Sequence, residues 1–143
     1  MPAYFDSSVL LSLLKNDSQA RRAADLWGEY EERISSVLLE IECTIVLRRI
    51  AAQFRSQLPQ NWLSSCELKL RASLEEASLK EVDGSIVSLI RGEKRLSHCR
   101  TLDAIHVATA LYFQQASQGD FYLCSFDQKM VEVAKDCGLK TRP

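Results

Sequence analysis

Along the 143-residue chain, short apolar runs alternate with longer stretches in which apolar residues recur every three or four positions. The short runs are Ala3-Tyr4-Phe5, Arg33-Ile34-Ser35, Leu79 to Val82, Phe121 to Cys124 and Leu139-Lys140-Thr141. Runs of this length, bounded by turn and cap residues, read as short strands. The longer stretches read as helices with recognisable starts. Ser7 or Ser8 opens a helix through Leu14, Asn16-Asp17-Ser18 caps one over about Gln19 to Glu31, and Ser35 or Ser36 caps a long one over about Val37 to Phe54. Beyond the break at Leu58-Pro59, a fourth helix runs from about Gln60 to Ser78, and Asp83 caps a fifth near Ser85 to Arg91. Asp103 opens an apolar helix to about Gln115, and Asp127 begins the last one, which Gly138 ends. Strands alternating with helices predict an α/β fold of three layers, with a short central parallel sheet flanked by helices. Neither a repeat nor a change of composition divides the chain, so one domain is expected over residues 1–143.

Four acids interrupt this pattern. On a helical wheel at ~100° per residue, Leu38, Ile41, Ile45 and Ala52 gather on one side of the third helix, extended by Leu39, Val46 and Ile50. Glu42 falls near the middle of that expected face and Glu40 nearly opposite, so Glu42 is the acid that needs a reason. A buried carboxylate must find a partner or neutralise. Arg49, seven residues on, offers a plain internal ion pair as one reading. Asp6 ends the first strand and Asp127 follows the fourth, where ligands gather in open parallel sheets. Both also fit as ordinary helix caps, and Asp103 also fits as a first-turn acid complementing a helix dipole.

Composition narrows the field. The chain is 46% hydrophobic and 26% charged, as expected of a globular protein, and its net charge of −1 does not announce nucleic-acid binding, which would need a local basic patch. Five scattered cysteines (Cys43, Cys66, Cys99, Cys124, Cys137) form no Cys-x-x-Cys pair, which argues against zinc and against a disulfide framework and for reduced thiols in a cytoplasmic protein. The apolar run Val9 to Leu14 is too short for a membrane span and lacks the basic flank of a leader.

If Asp6, Glu42, Asp103 and Asp127 converge, their repulsion is relieved by a divalent cation, and all-oxygen ligation selects Mg²⁺ or Mn²⁺. Such a centre suits attack of an activated water on a phosphodiester. Ser8 and Ser125 are candidate hydrogen-bond donors at its edge, each also explicable as a cap or turn serine. His106, three residues after Asp103, shares its helix face and reads as a packing or supporting partner rather than a catalyst. Arg91, Lys94, Arg95 and Arg100 precede Asp103, and Arg48 and Arg49 lie beyond Glu42; they read either as a path for a phosphate backbone or as solvated surface.

At these residues the chain resembles the PIN domain family, and most of all the VapC toxins of bacterial type II toxin–antitoxin pairs. The run Leu102-Asp103-Ala104-Ile105-His106-Val107-Ala108-Thr109-Ala110 carries the likeness most strongly. Tyr4-Phe5-Asp6-Ser7-Ser8, Ser35-Ser36 followed by Glu42, and Ser125-Phe126-Asp127 followed by Ala134 and Gly138-Leu139 complete the order. The resemblance implies a Rossmann-like PIN fold and Mg²⁺-dependent endoribonuclease activity. It also implies a VapB-like antitoxin as partner, an RNA substrate and a homodimer. Asp6 and Asp103 match the metal-binding aspartates, with Glu42 and Asp127 completing the acidic set. Two departures stand out: Glu40 beside Glu42 leaves two candidates for the second acid, and Ser125 stands where threonine is common. A non-toxin PIN nuclease of RNA processing and a non-catalytic binding or signalling module are the competing readings. A phospho-receiver is disfavoured because Phe5-Asp6-Ser7 lacks paired acids, and a dinucleotide-binding domain because no Gly-x-Gly-x-x-Gly follows the first strand.

Overall fold

The computed structural model describes residues 1–143. Five strands, β1 (Pro2–Phe5), β2 (Glu32–Ser36), β3 (Ala77–Lys80), β4 (Tyr122–Cys124) and β5 (Lys140–Arg142), form one sheet in the order β3-β2-β1-β4-β5. Every pairing is parallel, with Tyr4 opposite Ile34 on one side and opposite Leu123 on the other. Seven helices connect them: α1 (Ser7–Lys15), α2 (Ala20–Glu29), α3 (Leu38–Gln53), α4 (Trp62–Glu75), α5 (Gly84–Gly92), α6 (Thr101–Ala116) and α7 (Gln128–Asp136). The α/β architecture with a parallel sheet flanked by helices is the expected one.

Strand alternation divides the core in two. Ala3 and Phe5 face α1 to α4, packing with Val9, Leu10, Leu26, Leu39 and Leu47. Tyr4, between them, faces α5 to α7, packing with Ile86, Val107, Ala108, Leu123 and Met130. The sheet is thus covered on both faces, as parallel sheets require. Chain direction across the sheet reverses at β1, which runs first to β2 and later to β4. The crevice outside the carboxyl ends of β1 and β4 is therefore the topological switch point, the place where open α/β sheets bind ligands.

Local chemistry sets the helix ends. Asp6, rather than Ser7 or Ser8, caps α1, its side chain accepting from the Ser8 and Val9 amides. Asp83 and Asp127 cap α5 and α7 in the same way. Gly138 ends α7 at φ 90°, a left-handed position that lets the Leu139 amide return to the Ala134 carbonyl.

Three sequence expectations shift. The buried stripe of α3 is Leu39, Cys43 and Leu47, whereas Ile41 and Ile45, placed by the wheel on the core face, are 50% and 44% exposed. The helix is apolar on two sides, so its composition does not choose between them; the sheet beneath does. The third strand spans Ala77–Lys80, not Leu79 to Val82, because its parallel register pairs Arg33 with Ala77 and Ser36 with Lys80. An edge strand of this kind buries little, so no apolar run marks it. Finally, α6 starts at Thr101, two residues before Asp103, after a 3₁₀ turn over Lys94–His98 in the basic stretch.

Candidate active site

Asp6 leaves β1 at the switch point and is 2% exposed. Its Oδ1 accepts from the Ser8 hydroxyl at 2.6 Å and from the Ser8 amide at 3.1 Å, and its Oδ2 from the Ser125 hydroxyl at 2.6 Å. Each hydroxyl has one proton to give, and both protons go to Asp6. The two hydroxyl oxygens accept in turn, Ser8 from the Phe126 amide at 2.8 Å and Ser125 from the Asp127 amide at 3.0 Å. Ser8 and Ser125 thus stitch the end of β1 to the end of β4 through one carboxylate. Burial pushes the Asp6 carboxyl up from its ordinary range, opposed by the nearby His106 and by the donors from Ser125, Ser8 and Val9.

Asp103 stands in the first turn of α6 and lines a hollow with Glu42, Arg100, Thr101 and Leu102. No hydrogen bond in the protein uses its carboxylate, and its one ionic neighbour is Arg100, 3.8 Å away. Its side chain is only 14% exposed. Burial raises its pKa, and Asp127 and Glu42 raise it further against Arg100 and His106. Asp103 is therefore an under-satisfied anion in sight of two others. Asp127 is a working helix cap, accepting from the Met130 amide at 3.1 Å, while also adding to the field on Asp103.

Glu42 and Glu40 part ways. Glu40 is exposed and lines a polar hollow between α3 and α4 with Arg48, Glu67 and Arg71. Glu42 is half-buried, lines the mouth with Arg100, Thr101, Leu102 and Asp103, and accepts at Oε1 from His106 Nε2 at 2.5 Å. The Glu42–Arg49 ion pair that the sequence offered as an alternative does not form; the partner, His106, comes from the opposite helical layer. His106 is wholly buried, and its Nδ1 meets the Tyr4 hydroxyl at 2.6 Å.

The basic residues separate into two groups. Arg48 is engaged by Glu67 at 3.2 Å, and Arg95 is held by both oxygens of Glu93 and by the Asp136 carbonyl. Arg49, Arg91 and Lys94 are exposed with no acidic partner, and Arg100 is tethered only loosely at the mouth. Two further residues belong to this neighbourhood without standing out in the sequence. Lys129, exposed in the first turn of α7, lies two residues beyond Asp127. Tyr4 is the other; its one legible signal is a polar tip within an apolar strand, in the same alternation as Asp6.

No three His, Cys, Asp or Glu side chains are drawn together closely enough to form a ready-made ligand cage. The donor set nevertheless fits a hydrated hard cation, which keeps most of its waters and uses one or two carboxylates. Asp103 supplies an unpaired carboxylate, and Asp6 retains acceptor capacity beyond the Ser125 bond on Oδ2. All donors are oxygen, which disfavours zinc.

A five-stranded parallel sheet flanked by helices, with acids at the ends of β1 and β4 and in the first turn of α6, defines the class: an α/β domain with a sheet-edge crevice at its switch point. The family follows from comparison. The PIN domain model matches residues 3–136, and the chain belongs to the PIN domain family, whose members are generally nucleases that use divalent metals. Among solved structures, a chain of a toxin–antitoxin complex from Klebsiella pneumoniae is similar in fold. It superposes with a TM-score of 0.62 at 18% identity, over 90% of this chain and 89% of that one. No curated protein matches the chain in sequence. No helix is long and apolar enough to cross a membrane.

Proposed function

We propose that this protein is a Mg²⁺-dependent endoribonuclease, the toxin of a VapBC-type pair, working as a single cytoplasmic domain over residues 1–143. One observation carries the catalytic reading: Asp103, nearly buried and without a hydrogen bond, has its pKa raised by burial and by Asp127 and Glu42 at the switch point. A protein keeps such an arrangement at a cost in stability unless a cation joins it. The chemistry a divalent ion supplies when bound is polarisation of water and neutralisation of phosphate charge.

The chain's own residues do the rest. Asp103 and Asp6 would hold the ion, and Glu42 and Asp127 would orient its waters or take a proton. Ser8 and Ser125 hold Asp6 in one rotamer by donating to both of its oxygens. Arg49, Arg91, Lys94 and Arg100 are the cations free to meet an RNA backbone, with exposed Lys129 as a further candidate. Arg48 and Arg95 contribute less, since their guanidinium groups are already matched by Glu67 and Glu93.

The toxin reading is supported by the order of the acidic motifs and by the fold shared with a chain of a toxin–antitoxin complex. Its partners are then a VapB-like antitoxin, structured RNA and a second copy of the chain. The test is cleavage of total cellular RNA by highly purified protein with Mg²⁺ or Mn²⁺, alongside Asp103→Asn. Cleavage by the wild type alone, relieved by co-expression of a short neighbouring reading frame, is the expected result. Cleavage that persists undiminished in Asp103→Asn overturns the assignment.

A further inference from the structure

Arg22, Arg33, Arg48, Arg95 and Arg142 each donate hydrogen bonds to carbonyl or carboxylate oxygens and tie elements of the fold together. Arg100 is different. Its backbone is fixed in extended geometry just before α6, where its carbonyl accepts from the Ala104 amide at 2.8 Å. Its side chain is 89% exposed, and its one partner is Oδ2 of Asp103, 3.8 Å from Nε and beyond hydrogen-bond reach. The root of Arg100 is thus held beside the acid while its guanidinium tip stays loose.

Two features of Asp103 give this loose contact a use. Its carboxylate is mostly buried yet accepts no hydrogen bond, so it has room for a stronger partner. The hollow of about 430 Å³ that it lines with Glu42, Thr101 and Leu102 has Arg100 as its one basic side chain. An ion pair so exposed is worth little. It screens the acid without closing it. A divalent ion at Asp103 competes with the guanidinium for the same carboxylate, because two cations this close repel. A phosphodiester entering the hollow then meets the displaced guanidinium, whose planar fork suits phosphate oxygens.

We propose that Arg100 is an exchangeable counter-ion. It screens Asp103 in the metal-free protein, releases the carboxylate when a divalent ion binds, and then pairs with a phosphate of the RNA in the hollow. A basic side chain that only attracts RNA has no effect on the metal. Loss of Arg100, in contrast, moves metal binding and cleavage in opposite directions. The exchange rests on the nuclease reading above.

Calorimetric titration of Mn²⁺ into the full-length, chelator-stripped protein at low salt tests the first half. Arg100→Gln is expected to bind Mn²⁺ about 3- to 10-fold more tightly than the wild type, the scale of removing one exposed unit charge at this distance. The gain is expected to shrink at high salt, which screens exposed charges. Arg100→Lys keeps the charge and is expected to bind as the wild type does. Arg55→Gln, an exposed change just beyond α3, alters net charge equally and is expected to leave Mn²⁺ affinity alone. Equal or weaker Mn²⁺ binding in Arg100→Gln overturns the exchange, as does an equal gain in Arg55→Gln. Cleavage of RNA at saturating Mn²⁺ tests the second half. Arg100→Gln is expected to cut about 10-fold more slowly or worse despite its tighter metal, the scale of losing a hydrogen bond to a charged group, with Arg100→Lys in between. Cleavage at the wild-type rate overturns the pairing with phosphate. A wild type that neither binds Mn²⁺ nor cuts RNA refutes the nuclease reading and the exchange together. A wild type that does both, with Arg100→Gln binding no tighter, refutes the exchange alone.

Discussion

The carboxylates of this protein fall into two regions that obey opposite electrostatics. On the flanks, acids are matched by cations of the chain itself. Arg142 grips both oxygens of Glu29 at 2.9 and 3.0 Å and also donates to the Tyr30 hydroxyl. Arg95 grips Glu93, while Ser85 and Lys80 donate to Asp83. Each of these acids is held below its ordinary range: Glu29 by Arg142, Glu93 by Arg95, and Asp83 by Ser85 and then Lys80. At the mouth, Asp6 and Asp103 are raised instead, both chiefly by burial, and Asp103 also by its acidic neighbours. The one cation of the chain beside Asp103 is Arg100, 3.8 Å away and exposed. Under the proposed function, a cation from outside supplies the missing positive charge.

This contrast is tested most severely at Asp103. Asp103→Asn is expected to lower RNA cleavage by about 100-fold or more, the scale of losing several kcal/mol of charge stabilisation in the transition state. Circular dichroism should show the fold intact; a fully active variant would put the mouth in the same class as the flanks. Glu42→Gln keeps the shape but weakens the acceptor for His106, and a loss of about 10-fold to 100-fold in cleavage is expected.

Titration separates the regions by sign. Asp103 has a raised folded pKa, so it favours the protonated fold: its contribution to stability is full below the ordinary aspartate range and is lost as pH climbs through the raised value. The flank acids have lowered folded pKa values, so their contribution is full above the ordinary range and is lost as pH falls through the lowered values. In chelator, the melting temperature of Asp103→Asn should therefore gain on the wild type as pH rises from about 4 to about 8. Added Mg²⁺ should close the gap by stabilising the wild type alone. A gap that shrinks with rising pH would reverse the assignment of the mouth.

Smaller effects belong to the flanks. Arg142→Ala is expected to lower the melting temperature by a few degrees and leave cleavage per folded molecule unchanged, measured on the same preparation. Smallest of all is Glu40→Gln, an exposed change two residues from Glu42, expected to alter stability by no more than about 0.5 kcal/mol and cleavage not detectably. Comparable losses from Glu40→Gln and Glu42→Gln would show that the second acid is misassigned.

Much of this contrast is legible in the residues alone. Strand Ala3-Tyr4-Phe5, its terminal acid, and the acid after the fourth strand follow from alternation and from the cap chemistry around Ser7, Ser8 and Ser125. The location of β3 is less legible, since an edge strand needs only one neighbour and little apolar surface. The face of α3 escapes the wheel because Ile41 and Ile45 make the exposed side as apolar as the buried one. Arg48 and Arg95 look equivalent to Arg49 and Arg100 because a side chain's charge is visible in sequence but its counter-ion, nineteen positions away for Arg48, is not.

The order of residues is enough to set the alternation of strands and helices, the caps that end them, and which acids lie at element ends. These are local matters, governed by side-chain period and by hydrogen bonds spanning two or three residues. Which acids are neighbours, and which cations are already taken, depends on tertiary packing. Packing alone pairs Glu42 with His106, 64 positions away, and His106 with Tyr4, 102 positions away. Strand order and helix seating follow from the closing of two cores around one sheet, and a charge's character depends on what that closing sets beside it.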